Sequence, residues 1–148
     1  MSDDPVADAG RICLDSNALI YLLDRVHPYF PWLHRLFESI AGGERVAVVS
    51  VISEMEVMVK PLRDEDFDGL NRLDDALSHP SVVVVALDRS IARRAAEIRA
   101  ALDLSIPDAV VAATAVEAGC DLIVGNDKQF AQRMREIPYI YLDDVVSR

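Results

Sequence analysis

Short, wholly apolar stretches that alternate with helical patterns constrain the fold of this 148-residue chain more than any other feature. Two of them are rich in valine: VAVVSV at 46–51 and VVVVA at 82–86. A strand that is apolar on both faces must be covered on both faces, which is typical of a parallel sheet. Amphipathic segments between the strands can supply the covering helices. The pattern therefore predicts a three-layer α/β/α domain with a mostly parallel central sheet.

Hydrophobic periodicity, together with the glycines and prolines that interrupt it, predicts the order of the elements. We expect strands at 11–14, 46–51, 82–86, 122–124 and 139–142. We expect helices at about 16–24, 31–40, 53–60, 89–102, 107–118 and 127–135, and one more within 63–80. The helix that starts at 53 should end near Lys60, because a proline disfavours helical geometry in the residue before it.

The length fits one domain, which we assign to residues 11–148. Residues 1–10, MSDDPVADAG, are acidic and lack the apolar segment of a secretory signal, so we expect a flexible N-terminal arm. No apolar run reaches the roughly 18 residues that span a bilayer, so no membrane partner is expected. Cys13 and Cys120 lie beside apolar strands, which favours buried thiols in a reducing cytoplasm over a disulfide scaffold.

Acidic residues occur where predicted strands give way to helices. Asp15 follows the first strand, and Asp127 follows the strand LIV through Gly125 and Asn126. Glu56 and Asp108 are each expected in the first turn of a helix. Because a doubly wound sheet brings several such joints into one crevice, these carboxylates are predicted to lie close together.

Helix capping is the simpler explanation for each acid taken alone. Ser53-x-x-Glu56 and Ser105-x-x-Asp108 match a capping box, and Asp15 and Asp127 could be N-caps. Four clustered carboxylates, however, would repel one another and raise one another's pKa, so the cluster would need a cation. Oxygen ligands of this kind suit Mg²⁺ or Mn²⁺, and the three histidines offer no zinc-like spacing.

An all-carboxylate magnesium site favours phosphoryl-transfer chemistry, in which a metal activates water and stabilises the leaving oxygen. The chain has no Gly-x-x-x-x-Gly-Lys-Ser/Thr loop, which argues against a nucleoside triphosphatase. It also lacks a glycine-flanked nucleophile of the serine hydrolase type. Hydrolysis of a phosphodiester by water fits the residues best.

The segments LDSNALIYLL, SVISEMEVMVKPLR and LSIPDAVVAATAVEAGCDLIVGNDKQF resemble the motif blocks of PIN-domain nucleases. They are most similar to the toxin (VapC-type) of VapBC toxin–antitoxin pairs, and the resemblance runs from residue 11 to about 142. It implies a Mg²⁺- or Mn²⁺-dependent endoribonuclease that forms a homodimer and has a cognate antitoxin protein.

The resemblance also assigns roles to individual residues. It makes Asp15, Glu56, Asp108 and Asp127 the catalytic and metal-binding acids, with Glu54 as a rival to Glu56. Ser16 and Asn126 match supporting positions beside the first and last acid. Gly125 departs from the pattern, because the family often has threonine there, and a lost hydroxyl would loosen the positioning of Asp127.

The net charge of −10 is unusual for a protein that binds RNA. Bound divalent cations would offset the four site acids, and local basic residues would have to meet the phosphates. Lys60 and Lys128 are the best candidates for substrate binding, since each lies within about one helical turn of a site acid. RNA affinity should therefore be modest and sensitive to salt.

Three other functions remain open at this point. A receiver domain shares the α/β pattern, but it would need paired acids after the first strand, where only Asp15 stands. A catalytically silent PIN-like domain that only binds RNA is kept open by Gly125. A DNA-directed metal nuclease shares the logic of the acids, although the small chain shows no arch or clamp for DNA.

Overall fold

The computed structural model describes residues 4–146, which form a five-stranded sheet in the order β3-β2-β1-β4-β5. All four neighbouring pairs are parallel. The strands are β1 (Arg11–Leu14), β2 (Val46–Ser50), β3 (Val82–Val85), β4 (Leu122–Gly125) and β5 (Tyr139–Tyr141).

Helices cover both faces of this sheet. They are α1 (Ser16–Leu23), α2 (Phe30–Ala41), α3 (Val51–Arg63), α4 (Phe67–Leu77), α5 (Arg89–Leu102), α6 (Ile106–Glu117), α7 (Lys128–Arg133) and α8 (Leu142–Val145). One apolar core joins the sheet to α1 through α4 and to α8, and the other joins it to α5, α6 and α7. The predicted three-layer α/β/α fold is confirmed. No helix within residues 4–146 is long and apolar enough to cross a membrane.

The strand order places a switch point at β1. The chain leaves β1 toward β2 and β3 on one side, and later returns to β4 and β5 on the other. Parallel sheets bind ligands at the carboxyl ends of the strands beside such a point. The ends of β1 and β4 are therefore the place where a site is expected, and they are the ends that Asp15 and Asp127 follow.

Helix α3 differs from its prediction at both ends. It starts directly after β2, where the Ser50 hydroxyl caps it by accepting a hydrogen bond from the Ile52 amide at 3.2 Å. Ser53 lies inside the helix, so the predicted Ser53–Glu56 capping box is wrong and Glu56 lies in the second turn rather than the first. The Ser53 hydroxyl is buried without a hydrogen-bond partner among the described residues.

The expected end of α3 near Lys60 is also wrong, since the helix continues through Pro61 to Arg63. A proline removes only one donor, and near a helix end that loss is small because the last turn has further bonds. The Asp64 amide donates to the Lys60 carbonyl at 3.0 Å, and the Asp66 amide donates to that of Pro61 at 2.9 Å.

Other differences lie toward the edges of the fold. Val83 and Val84 of β3 are exposed, because β3 is an edge strand and its faces are incompletely covered. Helix α7 ends at Arg133, where Met134 turns to an extended conformation. The short helix α8 has no counterpart in the sequence prediction.

Part of the predicted N-terminal arm packs on the domain. Val6 and Ala9 are buried, and the Arg45 guanidinium donates to their carbonyls at 2.9 and 3.0 Å. In this part the chain is therefore held to the domain, whereas residues 1–3 and 147–148 lie outside the described residues. The boundary at residue 10 stays a prediction.

Candidate active site at the carboxyl edge of the sheet

Asp15 stands between the end of β1 and the first residue of α1. Its amide extends the sheet by donating to the Val124 carbonyl of β4 at 2.9 Å. Its Oδ1 accepts a hydrogen bond from the Ser16 amide at 2.8 Å and so caps α1. The side chain is nevertheless only 4% exposed, which is unusual for a carboxylate.

Burial raises the pKa of Asp15 to about 7, against an ordinary value of 3.8. The hydrogen bond from the Ser16 amide opposes this rise by stabilising the carboxylate. The negative charges of Asp108, Glu56 and Asp127 add to it. Asp15 is thus a buried acid that three other acids act on.

Asp127 and Asp108 are fixed at the starts of two helices on the same edge. Asp127 caps α7, with its Oδ1 accepting from the Phe130 amide at 3.0 Å. Ser105 caps α6 by accepting from the Asp108 amide at 3.3 Å. Burial, followed by the charges of Asp127 and Glu56, raises the pKa of Asp108 to about 6.

Glu56 is the most open of the four acids, since its side chain is exposed on α3. Partial desolvation raises its pKa, and its charge raises the pKa of both Asp15 and Asp108. Glu54, the rival acid, lies half-buried in the first turn of α3. The four acids thus come from four different elements, and the charges of Glu56 and Asp127 act on both Asp15 and Asp108.

The two predicted supporting residues each form hydrogen bonds beside an acid of the site. Ser16 contacts Asp15 through its backbone amide. The Asn126 side-chain amide donates to the hydroxyls of Tyr21 and Tyr29 at 3.3 and 3.4 Å, and its carbonyl accepts from the Asp143 amide at 3.0 Å. Asn126 thus ties the end of β4 to the surrounding elements.

Lys60 and Lys128, the predicted substrate-binding residues, are both exposed, and within residues 4–146 neither forms an ion pair. Lys60 lines a cleft of about 650 Å³ together with Glu56. Arg25 and Arg72 line the same cleft, although no motif in the sequence marks them. Three further acids line the cleft, Asp24, Asp64 and Asp66, so its walls carry charges of both signs.

The donor set suits a hard divalent cation. Among the described residues, no three metal-ligating side chains converge closely enough to hold an ion as they stand. The four carboxylates nevertheless supply oxygen donors only, and two of them have a raised pKa to which neighbouring negative charge contributes. A cation would relieve that repulsion, so the residues fit Mg²⁺ or Mn²⁺ in chemistry.

The all-parallel sheet between two helical layers, with carboxylates beside its switch point, defines an α/β domain with an acidic site. Within this class the family is clear, because the sequence profile of the PIN domain matches residues 12–135. The chain belongs to the PIN domain family, and the resemblance drawn from its motifs is confirmed.

Solved structures share the fold over nearly the whole described domain. VapBC2 from Rickettsia felis, bound to a promoter DNA fragment, has a TM-score of 0.72 at 18% identity and covers 88% of this chain and 98% of that chain. A toxin–antitoxin complex from Klebsiella pneumoniae has a TM-score of 0.67 at 25% identity, with coverages of 88% and 97%. VapC20 from Mycobacterium tuberculosis, a sarcin–ricin loop cleaving toxin, has a TM-score of 0.63 at 19% identity, with coverages of 86% and 98%. A sequence comparison with curated proteins found no significant match.

Proposed function

We propose that this protein is a metal-dependent endoribonuclease and the toxin of a toxin–antitoxin pair. The observation that carries the proposal is the burial of Asp15 among three further acids at the switch point of the sheet. Membership of the PIN domain family supports nuclease chemistry. The similar structures include two toxin–antitoxin complexes and an RNA-cleaving toxin, which supports the finer assignment.

In this proposal Asp15, Glu56, Asp108 and Asp127 hold Mg²⁺ or Mn²⁺. When bound, the metal would supply an activated water and neutralise charge on the phosphodiester. The protein contributes orientation: Asp15 and Asp127 each commit one oxygen to a backbone amide and keep the other for the site. Glu56 is preferred to Glu54 as the second acid, because its charge acts on both Asp15 and Asp108.

The proposed substrate is RNA, which enters along the cleft that runs from Glu56 past Lys60. Lys60 and Lys128 would contact phosphates on either side of the acids. Arg94 is less suited to this role, since its Nε is paired with Glu117 at 2.8 Å. The overall charge of −10 predicts modest RNA affinity that is sensitive to salt.

The proposed partners are a second copy of the chain and an antitoxin. Met55, Val59 and Leu62 form an apolar stripe along one side of α3, with exposures of 52%, 41% and 58%. Large exposed apolar side chains in a contiguous stripe are typical of interfaces. A cytoplasmic location is also part of the proposal, supported by the two buried free thiols, Cys13 and Cys120.

The test compares the purified protein with its Asp15→Asn variant on RNA and on single- and double-stranded DNA. Each substrate is incubated with Mg²⁺, with Mn²⁺ or with chelator. We expect metal-dependent cleavage of RNA that the variant loses by at least two orders of magnitude, which is the scale of losing a main electrostatic group. RNA binding without cleavage in any metal would identify a silent PIN-like domain, and preferential cleavage of DNA would identify a DNA nuclease.

A further inference from the structure

The Tyr139 hydroxyl lies in the space that a side chain at position 125 would fill. Tyr139 pairs with Ile123 in the sheet, and Tyr141 pairs with Gly125. The phenol therefore extends about two residues, roughly 6–7 Å, along the neighbouring strand to reach Gly125. A Cβ added to Gly125 would overlap the Tyr139 hydroxyl oxygen and lie 3.0 Å from both Tyr139 Cζ and Asp15 Cβ. Any side chain at position 125 would therefore have to displace the phenol.

The same hydroxyl binds the backbone of Asp127. The Asp127 amide donates to Tyr139 Oη at 3.1 Å, while the Asp127 carboxylate accepts from the Phe130 amide at 3.0 Å. The rings of Phe130 and Tyr139 pack with their centroids 4.7 Å apart. Tyr139 therefore supports Asp127 in two ways. Its hydroxyl accepts a hydrogen bond from the Asp127 amide, and its ring packs on Phe130, whose amide binds the Asp127 carboxylate.

The hydroxyl is also close to Asp15, because both contact the position of the missing Cβ. The Tyr139 oxygen accepts a hydrogen bond from the Asp127 amide. Within residues 4–146, its own O–H group donates a hydrogen bond to no other group. The hydroxyl thus contacts the backbone of Asp127 and lies near the Cβ of Asp15.

We propose that Tyr139 is a positioning residue of the acid cluster, whose hydroxyl occupies the space beside Gly125 and holds the backbone of Asp127 close to Asp15. The consequence for catalysis rests on the proposed nuclease function. The consequences for the Asp127 amide and for metal affinity do not depend on any activity.

The test uses Tyr139→Phe, which removes the hydroxyl and keeps the ring that packs on Phe130. The matched control is Tyr141→Phe, two residues along the same strand, where the hydroxyl binds Asp143. We expect Tyr139→Phe to shift the Asp127 amide resonance and speed its hydrogen exchange. We also expect Mn²⁺ affinity, measured by calorimetry, to fall about 10- to 100-fold, the usual loss when a group that orients a ligand is removed.

In the nuclease assay, Tyr139→Phe should lower kcat and leave KM within about twofold, because the hydroxyl lies among the acids and not along the cleft. The control should leave the amide resonance, its hydrogen exchange, the Mn²⁺ affinity and the nuclease kinetics close to those of the parent protein. An unchanged Asp127 amide, or Mn²⁺ affinity equal to that of the control, would overturn the proposal even if the protein cuts RNA. Altered amide and metal binding in a protein that cuts no RNA would support it and reject the nuclease function instead.

A second pair of variants tests the shared space. Gly125→Ser alone should weaken Mn²⁺ binding, because its Cβ displaces the phenol. Combined with Tyr139→Val, which opens the space, the serine hydroxyl should restore affinity above that of Tyr139→Val alone. Losses that simply add in the double variant would show that the two positions do not share one hydroxyl site.

Discussion

Replacing Asp15 by asparagine should make the metal-free protein more stable at alkaline pH. Asparagine has nearly the same shape, and its Oδ1 can still accept the hydrogen bond from the Ser16 amide that caps α1. The change removes the charge and replaces the other carboxylate oxygen by an NH2 group. Because Asp15 is buried among other acids, that charge opposes folding when no cation is present.

The magnitude follows from the pKa of Asp15, which rises from 3.8 to about 7 on folding. The native state then binds this proton more tightly than the unfolded state. The resulting stabilisation is complete below about pH 4 and is lost as the pH rises through 7. Linkage gives a total loss of about 4 kcal/mol, of which about 2–3 kcal/mol falls between pH 5 and pH 8. The burial of Asp108 is the same in both proteins, so this main cause of its raised pKa cancels when the two are compared.

Urea unfolding in chelator at pH 5 and pH 8 measures this effect. The free energy of unfolding of Asp15→Asn, minus that of the parent, should rise by about 2–3 kcal/mol between the two pH values. Mg²⁺ added at pH 8 should then stabilise the parent and have little effect on the variant.

Asp121→Asn is the matched control for that experiment. Hydrogen bonds from the Arg11 and Gly10 amides lower the pKa of Asp121, so its carboxylate is ionised in both states throughout this pH range. Its stability difference from the parent should stay constant between pH 5 and pH 8. A constant difference for Asp15→Asn as well would refute the reasoning, since Asp15 would then be ionised in the native state without penalty.

Three further changes test other parts of the structure. Filter binding at several salt concentrations, in the inactive Asp15→Asn background, tests the role of Lys60. Lys60→Ala should weaken RNA binding and reduce the slope of log affinity against log salt by about 1. Arg94→Ala should change that slope little. Leu62→Asp should convert the proposed homodimer to a monomer in sedimentation experiments, and a dimer that survives would exclude the apolar stripe of α3 as its interface. Arg45→Ala should cost about 1–3 kcal/mol in urea unfolding and speed proteolysis near the N-terminus, because it frees the carbonyls that hold residues 6–9; unchanged proteolysis would contradict that role.

The sheet and most helices could be predicted because their signals are local. Helix α5 matches its predicted bounds, since its apolar stripe lies within the segment and its caps, Asp88 and Asp103, directly flank it. The start of α3 could not be predicted, because Ser50 and Ser53 are equally good caps in sequence and only the end of β2 selects Ser50. Its continuation through Pro61 depends on bonds in the turn that follows.

In the candidate site, too, local signals could be predicted and contacts between distant elements could not. Asp15 and Asp127 could be placed at strand–helix joints, and Asp108 in the first turn of a helix, from the pattern alone. The contribution of Tyr139 could not, because its hydroxyl reaches Gly125 only through the register of β5 on β4. Position 125 has no hydroxyl of its own in the sequence, yet in the structure it is a space filled by the hydroxyl of a neighbouring strand.

Capping and metal binding, which compete as explanations of the acids in the sequence, are compatible in the structure. Asp15 uses Oδ1 to cap α1, and Asp127 uses Oδ1 to cap α7. Within residues 4–146, neither second oxygen has a hydrogen-bond donor. A cap fixes the side-chain rotamer, so it also fixes where the remaining oxygen lies. The helix starts are therefore the means by which acids from distant parts of the chain are held in range of one another before any cation binds.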